Sequence, residues 1–250
     1  MMLVGLLSLF MAMPCHGWMS SKALFVPRTR LKESGAAFKE PDNQFGNKNY
    51  WDETYEQESE FSWYCGWSEE LEPFFTELVP DTSAKVLIPG IGNDGCIRDM
   101  FDAGYTQLTA FDYAPEGVEC AKRLFGPSRL KLMDDMRVAD ARSLPYDDDA
   151  YDAVLDKGTL DSIYLSGGSD KDLARKHLRM AIDELARVLK KKGIVFCVTA
   201  ACVDSIQKIF DEYNEEHKCW NQIRDGSMHM TDDGYTSNNI DATMLVWERR

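Results

Sequence analysis

Apolar positions along this chain change their period several times, and each change marks an element. Lys85-Val86-Leu87-Ile88-Pro89 is a short apolar run bounded by turn residues, which predicts a buried strand. A helical stretch then runs from Gly95 through Phe101 and stops at Gly104. Residues 107–111 predict a second strand, with Asp112 at its end. Residues 115–125 predict a second helix, closed by Gly126-Pro127. Residues 136–139 and 151–155 predict strands three and four, the latter entered through the acidic turn Asp147-Asp148-Asp149.

Farther along, Leu178, Ile182, Leu185 and Leu189 recur at helical spacing and give a long amphipathic helix over 169–191. Lys190, Lys191 and Lys192 complement its C-terminal dipole, and Gly193 is placed to cap it. Residues 194–199 predict a fifth buried strand and 206–213 a further helix. Residues 220–223 and 243–247 predict an antiparallel pair at the sheet edge. Strands alternating with helices imply an α/β fold: a Rossmann-like, seven-stranded, mostly parallel sheet with helices on both faces.

Before this pattern begins, the chain reads differently. Residues 50–79 hold Tyr50, Trp51, Tyr55, Phe61, Trp63, Tyr64 and Trp67 among many acids, and predict an N-terminal helical cap. Residues 33–48 are polar and read as a linker. The first 13 residues are almost wholly apolar, and residues 18–32 carry Lys22, Arg28, Arg30 and Lys32 with no acid. The run is too short to span a membrane. It fits a targeting leader or an upstream extension. The expected organisation is therefore 1–32 leader, 33–83 linker and cap, and 84–250 main domain.

Composition narrows the partners. A formal charge of −14 opposes non-specific binding to nucleic acid and suits a basic protein partner. The 7 cysteines form no C-x-x-C pair and the 4 histidines are scattered, so a reduced compartment and no metal site are expected.

Gly90-Ile91-Gly92-Asn93-Asp94-Gly95 is a G-x-G-x-x-G loop between a strand and a helix, where glycines let a ligand approach the backbone. Asp112, ending the next strand, stands where a carboxylate can accept both hydroxyl protons of a ribose, and Tyr113 can pack on an adenine. This much suits either a nicotinamide dinucleotide or S-adenosylmethionine. Asp140-Ala141 after strand three supplies a carboxylate for the adenine amino group and a backbone N–H for a ring nitrogen. That pair, Tyr151-Asp152-Ala153-Val154-Leu155-Asp156, and the later Glu184-to-Gly193 segment favour S-adenosylmethionine; a dinucleotide leaves them without a task.

Three segments together carry a closer likeness: Tyr50-Trp51-Asp52-Glu53-Thr54-Tyr55, Phe61-Ser62-Trp63-Tyr64 and Asp156-Lys157-Gly158-Thr159-Leu160-Asp161. They resemble the eukaryotic methyltransferase-like family that includes the lysine and N-terminal methyltransferases of translation elongation factor 1-alpha. The likeness runs over about residues 50–162. It implies a class I methyltransferase using S-adenosylmethionine, with Trp51, Tyr55, Trp63, Gly90, Gly92, Asp112, Tyr113, Asp140, Ala141 and Lys157 at the cofactor. It also implies a basic protein substrate and a cytoplasmic location, or an organellar one with a leader. Asp156 and Asp161, beside the pocket, are the candidates to orient an acceptor amine. Ile91 departs from the family's usual cysteine, and the C-terminal half matches poorly. Plainer readings stand beside these: Gly90 and Gly92 as a bare strand–helix turn, Asp112 as a cap of the next helix, Asp140 as a turn acid, Lys157 with Asp161 as a structural ion pair, and the cap aromatics as packing. The alternative functions are a small-molecule methyltransferase and a catalytically silent domain that binds the cofactor or a partner.

Overall fold

The computed structural model of the protein describes residues 26–27, 43–57, 60–228 and 242–250. The elements in chain order begin with β1 (Val26–Pro27), α1 (Lys48–Gln57), α2 (Glu72–Leu78), β2 (Val86–Pro89), α3 (Gly95–Asp102), β3 (Leu108–Asp112), α4 (Pro115–Leu130) and β4 (Asp135–Val138). They continue with β5 (Tyr151–Lys157), α5 (Thr159–Leu165), α6 (Lys171–Val188), β6 (Leu189–Thr199), α7 (Val203–His217), β7 (Trp220–Met228) and β8 (Ala242–Arg249).

The expected seven strands form one sheet, and the two residues of β1 add to its edge. The order is β1-β7-β8-β6-β5-β2-β3-β4. Strands β2 to β6 pair in parallel, while β8 runs antiparallel to both β6 and β7. The expected antiparallel pair is present, with β8 inserted inside the sheet and β7 outside it. Val26 and Pro27, inside the stretch read as a leader, pair with Ser227 and Gly226; the rest of that stretch lies outside the described residues.

Strand alternation sorts the core into two layers. Val86, Ile88, Ala153, Leu155, Phe196 and Val198 pack against α2, α3 and α4. Leu87, Val154, Val195, Cys197 and Leu245 pack against α5, α6 and α7. Phe75 of α2 meets Phe196 at 5.7 Å, and Phe210 of α7 stacks on Trp247 at 3.8 Å. Fully burying each such side chain contributes about 1.5–3 kcal/mol. A smaller cluster of Trp51, Tyr55, Ala114 and Cys120 seats α1 on α4.

Several boundaries differ from expectation: the last helix runs Val203–His217, β7 runs to Met228, and two others show the cause in their contacts. The long helix ends at Val188, and the lysine run opens β6 instead of closing α6. Leu189 is wholly buried and paired with Tyr151, and Lys190 binds Asp152 at 2.7 Å, so strand pairing outweighs helix propagation. Lys192, at φ +66°, takes the left-handed turn expected of Gly193. At Gly126 the chain leaves the helical region as its Gly-Pro step predicts (φ +70°, ψ 163°), but the helix resumes to Leu130. Pro127 lacks an N–H that a new helical turn would leave unpaired anyway, so it starts the second segment at little cost.

Candidate active site

The carboxyl ends of β2, β3, β4 and β5 open onto one cavity of about 800 Å³. Ligands of open parallel sheets bind at this place, where the strand order reverses. The glycine loop follows β2. Asp94 caps α3 by accepting the Cys96 N–H at 2.9 Å, which fixes where the loop ends and the helix starts. Gly90 (φ +61°) lines the cavity, and a Cβ there would overlap Thr159 Oγ1. Thr159 itself is held by its bond to the Pro89 carbonyl at 2.9 Å. Gly92 (φ +45°) is off the wall; its N–H donates to Asp112 Oδ2 at 3.1 Å, and Tyr55's hydroxyl occupies the space a side chain would need. Gly95 makes room for Glu60, which binds Arg98.

Asp112 lies on the cavity wall yet is only 2% exposed. Its Oδ1 accepts the Ala114 N–H at 2.9 Å. Burial pushes its carboxyl up to about 7, against the pull of the three backbone N–H groups at Ala114, Gly92 and Tyr113. A carboxylate has about four lone-pair sites against these three donors, so Asp112 retains capacity for a ribose hydroxyl. Tyr113 follows on the wall, half-buried; burial and then the Asp112 charge raise its phenol.

At the end of β4, Asp140 and Ala141 line the same cavity. Asp140 accepts the Arg142 N–H at 2.9 Å and pairs with the Arg142 guanidinium at 2.7 Å. Burial works to raise the Asp140 carboxyl, but these bonds outweigh it and hold it below the usual range. The Ala141 N–H has no acceptor among the described residues, the state needed to meet a ring nitrogen.

The cap closes the cavity from above. Trp51 and Tyr55 stack at 5.6 Å, Trp63 meets Trp51 edge-on at 5.5 Å, and all three line the wall. Trp51 Nε1 donates to the Phe45 carbonyl at 2.7 Å and Trp63 Nε1 to Asn93 Oδ1 at 3.2 Å. The Phe61 N–H also bonds the Asn93 carbonyl at 3.0 Å. These aromatics therefore pack and line the cavity at once.

Lys157 does not pair with Asp161. Its ammonium binds Asp94 Oδ2 and the Cys65 carbonyl, each at 2.8 Å. Parity along β5 explains this: Lys157 follows Ala153 and Leu155 toward α3, whereas Asp161 belongs to the α5 side. The same parity places Asp156 with Val154, beneath α5 and away from the cavity wall. Fully buried there, it accepts the Leu160 N–H and the Cys197 thiol, each at 3.2 Å. Burial lifts its carboxyl to about 7. Of the two acceptor candidates, the structure brings only Asp161 to the wall. Its Oδ1 accepts Thr199 Oγ1 and the Cys202 N–H, each at 2.7 Å, and its Oδ2 accepts the Tyr64 hydroxyl at 3.2 Å.

Sequence patterns leave many wall residues unassigned, Phe45, Tyr64, Arg142 and His177 among them. His177 comes from α6 and bonds Ser166 Oγ at 2.8 Å, a meeting that no local pattern announces. Asp94 carried a readable signal, a cap-forming acid just before an apolar helix.

The residues present fit an adenosine-bearing cofactor: a glycine cradle without room for Cβ at Gly90, a buried carboxylate at Asp112 and a free N–H at Ala141. Residues 87–197 match a family model described as a methyltransferase domain. Residues 87–197 thus carry a methyltransferase domain, and S-adenosylmethionine is the cofactor that the residues around the cavity fit. Among characterised relatives it is similar to the mouse eEF1A lysine and N-terminal methyltransferase, 26% identical over 69% of this chain but only 24% of that protein. The chain therefore spans about a quarter of the length of such relatives. It is also 24% identical to mouse EEF1A lysine methyltransferase 4, over 70% of this chain and 68% of that one. In fold it resembles the N-methyltransferase NodS from Bradyrhizobium japonicum WM9 in complex with S-adenosyl-l-homocysteine. That likeness has a TM-score of 0.55 and 13% identity, covering 83% of this chain and 99% of the other. The [4+2]-cyclase SpnF shares the fold equally well, with a TM-score of 0.57 and 15% identity over 83% and 96% of the two chains. Fold alone does not fix the reaction.

Proposed function

We propose that this protein transfers a methyl group from S-adenosylmethionine to an amine of a protein, either a lysine side chain or an N-terminal amine. The observation that carries the reading is the placement of Asp161. Asp161 lines the cavity with the residues following β5 and β6, and Asp140 and Ala141 line it after β4. When bound, the cofactor supplies a methyl group on a sulfonium sulfur, which needs positioning more than activation. Asp112 and Ala141 bind its adenosine half. Trp51, Tyr55, Tyr113 and Trp63 exclude water around it, Gly90 lets it approach the backbone, and Asp140 stands at the adenine edge. Gly92 acts through Asp112, and Lys157 holds the loop and the cap together.

An ammonium must shed a proton before its lone pair can attack. Asp161 accepts an N–H from the amine and aims that lone pair; burial holds its carboxyl above the usual range. Names of the relatives in mouse and human support a protein acceptor, since both are eEF1A lysine and N-terminal methyltransferases. The −14 charge suits docking of a basic protein. Location follows the same reading, cytoplasmic like the acceptor, or organellar if residues 1–32 direct it there. Among the described residues no helix is long and apolar enough to cross a membrane.

The test is incubation of the purified protein and radiolabelled cofactor with elongation factor 1-alpha and with cell extract. Label in protein, mapped by mass spectrometry to a lysine or an N-terminus, is expected. Label confined to small molecules overturns the reading.

A further inference from the structure

Tyr64 is a wall residue fixed from three directions. Its backbone sits at φ +64°, a region that bulky side chains rarely enter. The next residue, Cys65, has its carbonyl held by the Lys157 ammonium at 2.8 Å. The ring lies on Gly158 (φ +81°), where a Cβ would stand 2.8 Å from Tyr64 Cε2. A chain that holds an aromatic residue in so uncommon a conformation has its surroundings arranged to keep it there.

The tip of this fixed ring meets the carboxylate assigned to the acceptor. Both Asp161 Oδ1 contacts are short and internal, from Thr199 and Cys202. Oδ2 receives the Tyr64 hydroxyl at a longer distance, 3.2 Å, and the Ala200 N–H also points at the carboxylate. Oδ2 carries the longer of these bonds, so an amine that bonds Asp161 there lies beside the phenol oxygen. Burial raises the Tyr64 phenol well above its ordinary range, so it remains a neutral donor.

We propose that Tyr64 limits how many methyl groups the acceptor amine receives, by sharing Asp161 Oδ2 with that amine and occupying the space its added methyls would need. The inference rests on the protein-amine reading above. In each round the C–S bond breaks and leaves its electron pair on sulfur. A C–N bond forms from the nitrogen lone pair, and one N–H proton leaves to water. Every round thus removes an N–H that could bond Oδ2 and adds a methyl that must fit against a polar hydroxyl that cannot retreat. Tyr64 acts here through Asp161 and through shape, as a specificity-determining residue.

The test compares wild-type protein with Tyr64→Phe on the acceptor that the wild type methylates, reading the proportions of mono-, di- and trimethylated product by mass spectrometry. Tyr64→Phe keeps the ring on Gly158 and removes only the hydroxyl. Calorimetry with S-adenosylhomocysteine checks that the cofactor site is intact. The expected result is a shift toward the more methylated products with unchanged cofactor affinity. An unchanged distribution, a wild type that already drives the amine to its fully methylated state, or a variant that binds cofactor but transfers nothing would each overturn the inference alone. A wild type that methylates no protein amine overturns the proposed function and this inference together. A second measurement needs no variant: kcat/KM of the wild type should fall from an unmethylated acceptor peptide to a partly methylated one, and equal values count against the proposal.

Discussion

Lys157 and Asp94 form an ion pair at 2.8 Å with both side chains almost wholly buried, and the same ammonium holds the Cys65 carbonyl. Asp94 belongs to the glycine loop, Lys157 to the end of β5, and Cys65 to the segment leading into α2. One charge thus joins three parts of the cavity wall. Burial alone would lower the Lys157 ammonium; Asp94 beside it keeps it above its ordinary range and charged. Replacing Lys157 by Met should cost about 3–5 kcal/mol, because Asp94 is left buried and unpaired. Adding Asp94→Asn should recover part of that loss, since the uncompensated charge is gone. Urea denaturation of the two variants measures both effects; equal stability of the single and double variants would contradict this account.

Asp112 predicts a pH dependence of cofactor binding. Its carboxyl sits near pH 7 in the free protein because of burial. Ribose hydroxyls donate to the ionised form, so affinity for S-adenosylhomocysteine should rise between pH 6 and 8, as roughly one proton is released on binding. Asp112→Asn should weaken binding roughly 10-fold or more and flatten the profile. Calorimetry in buffers of different ionisation heat reads both the affinity and the proton.

Asp112 and Asp156 also shape stability. Both are raised to about 7 in the folded protein, against an unfolded value of about 3.9. Where the folded state binds more protons, stability falls as pH rises. Their contribution is therefore fully present below about pH 4 and is lost as pH climbs through about 7. The cofactor-free protein should lose urea resistance across that window. Asp156→Asn, which removes a charge from a site fully closed to solvent, should reduce the slope.

Two glycines with similar backbone angles should respond differently to alanine. Gly90 and Gly168 have φ of +61° and +59°. A Cβ on Gly168 meets nothing within 4 Å, whereas one on Gly90 runs into Thr159. Gly168→Ala should cost about 1 kcal/mol and leave cofactor binding intact. Gly90→Ala should cost more and reduce affinity as well, since Thr159 must give up its bond to Pro89 or the loop must shift. Melting curves with and without S-adenosylhomocysteine separate the two.

Legibility in the sequence followed sequence distance. The glycine loop and Asp112 lie at strand ends that local apolar runs define, so pattern and place coincide. Gly126 was readable as a break, although not as a kink, because whether the helix resumes depends on how residues 127–130 pack. The end of α6 was misread since Leu189 suits the helical stripe equally well; its burial against Tyr151 decides the matter. Asp156 and Lys157 are neighbours in the chain yet face opposite layers. Only the two-residue period of β5, counted from Val154 and Leu155, tells them apart. Tyr64 and Asp161 meet across 97 positions, and His177 joins the wall from α6, so neither could be placed before the sheet order was known.

The position of β8 sets a timetable. It lies between β6 and β7, and within the described sheet β7 is joined to β6 only through it. On the ribosome, β2 to β6 can assemble in the order they emerge, but the open flank of β6 must wait until residues 242–249 have been made. Until then Phe196 and Val198 border an unpaired edge, the kind of surface that recruits foreign strands. The slowest and most aggregation-exposed moment of folding is therefore expected to come last, when one strand closes the sheet from within.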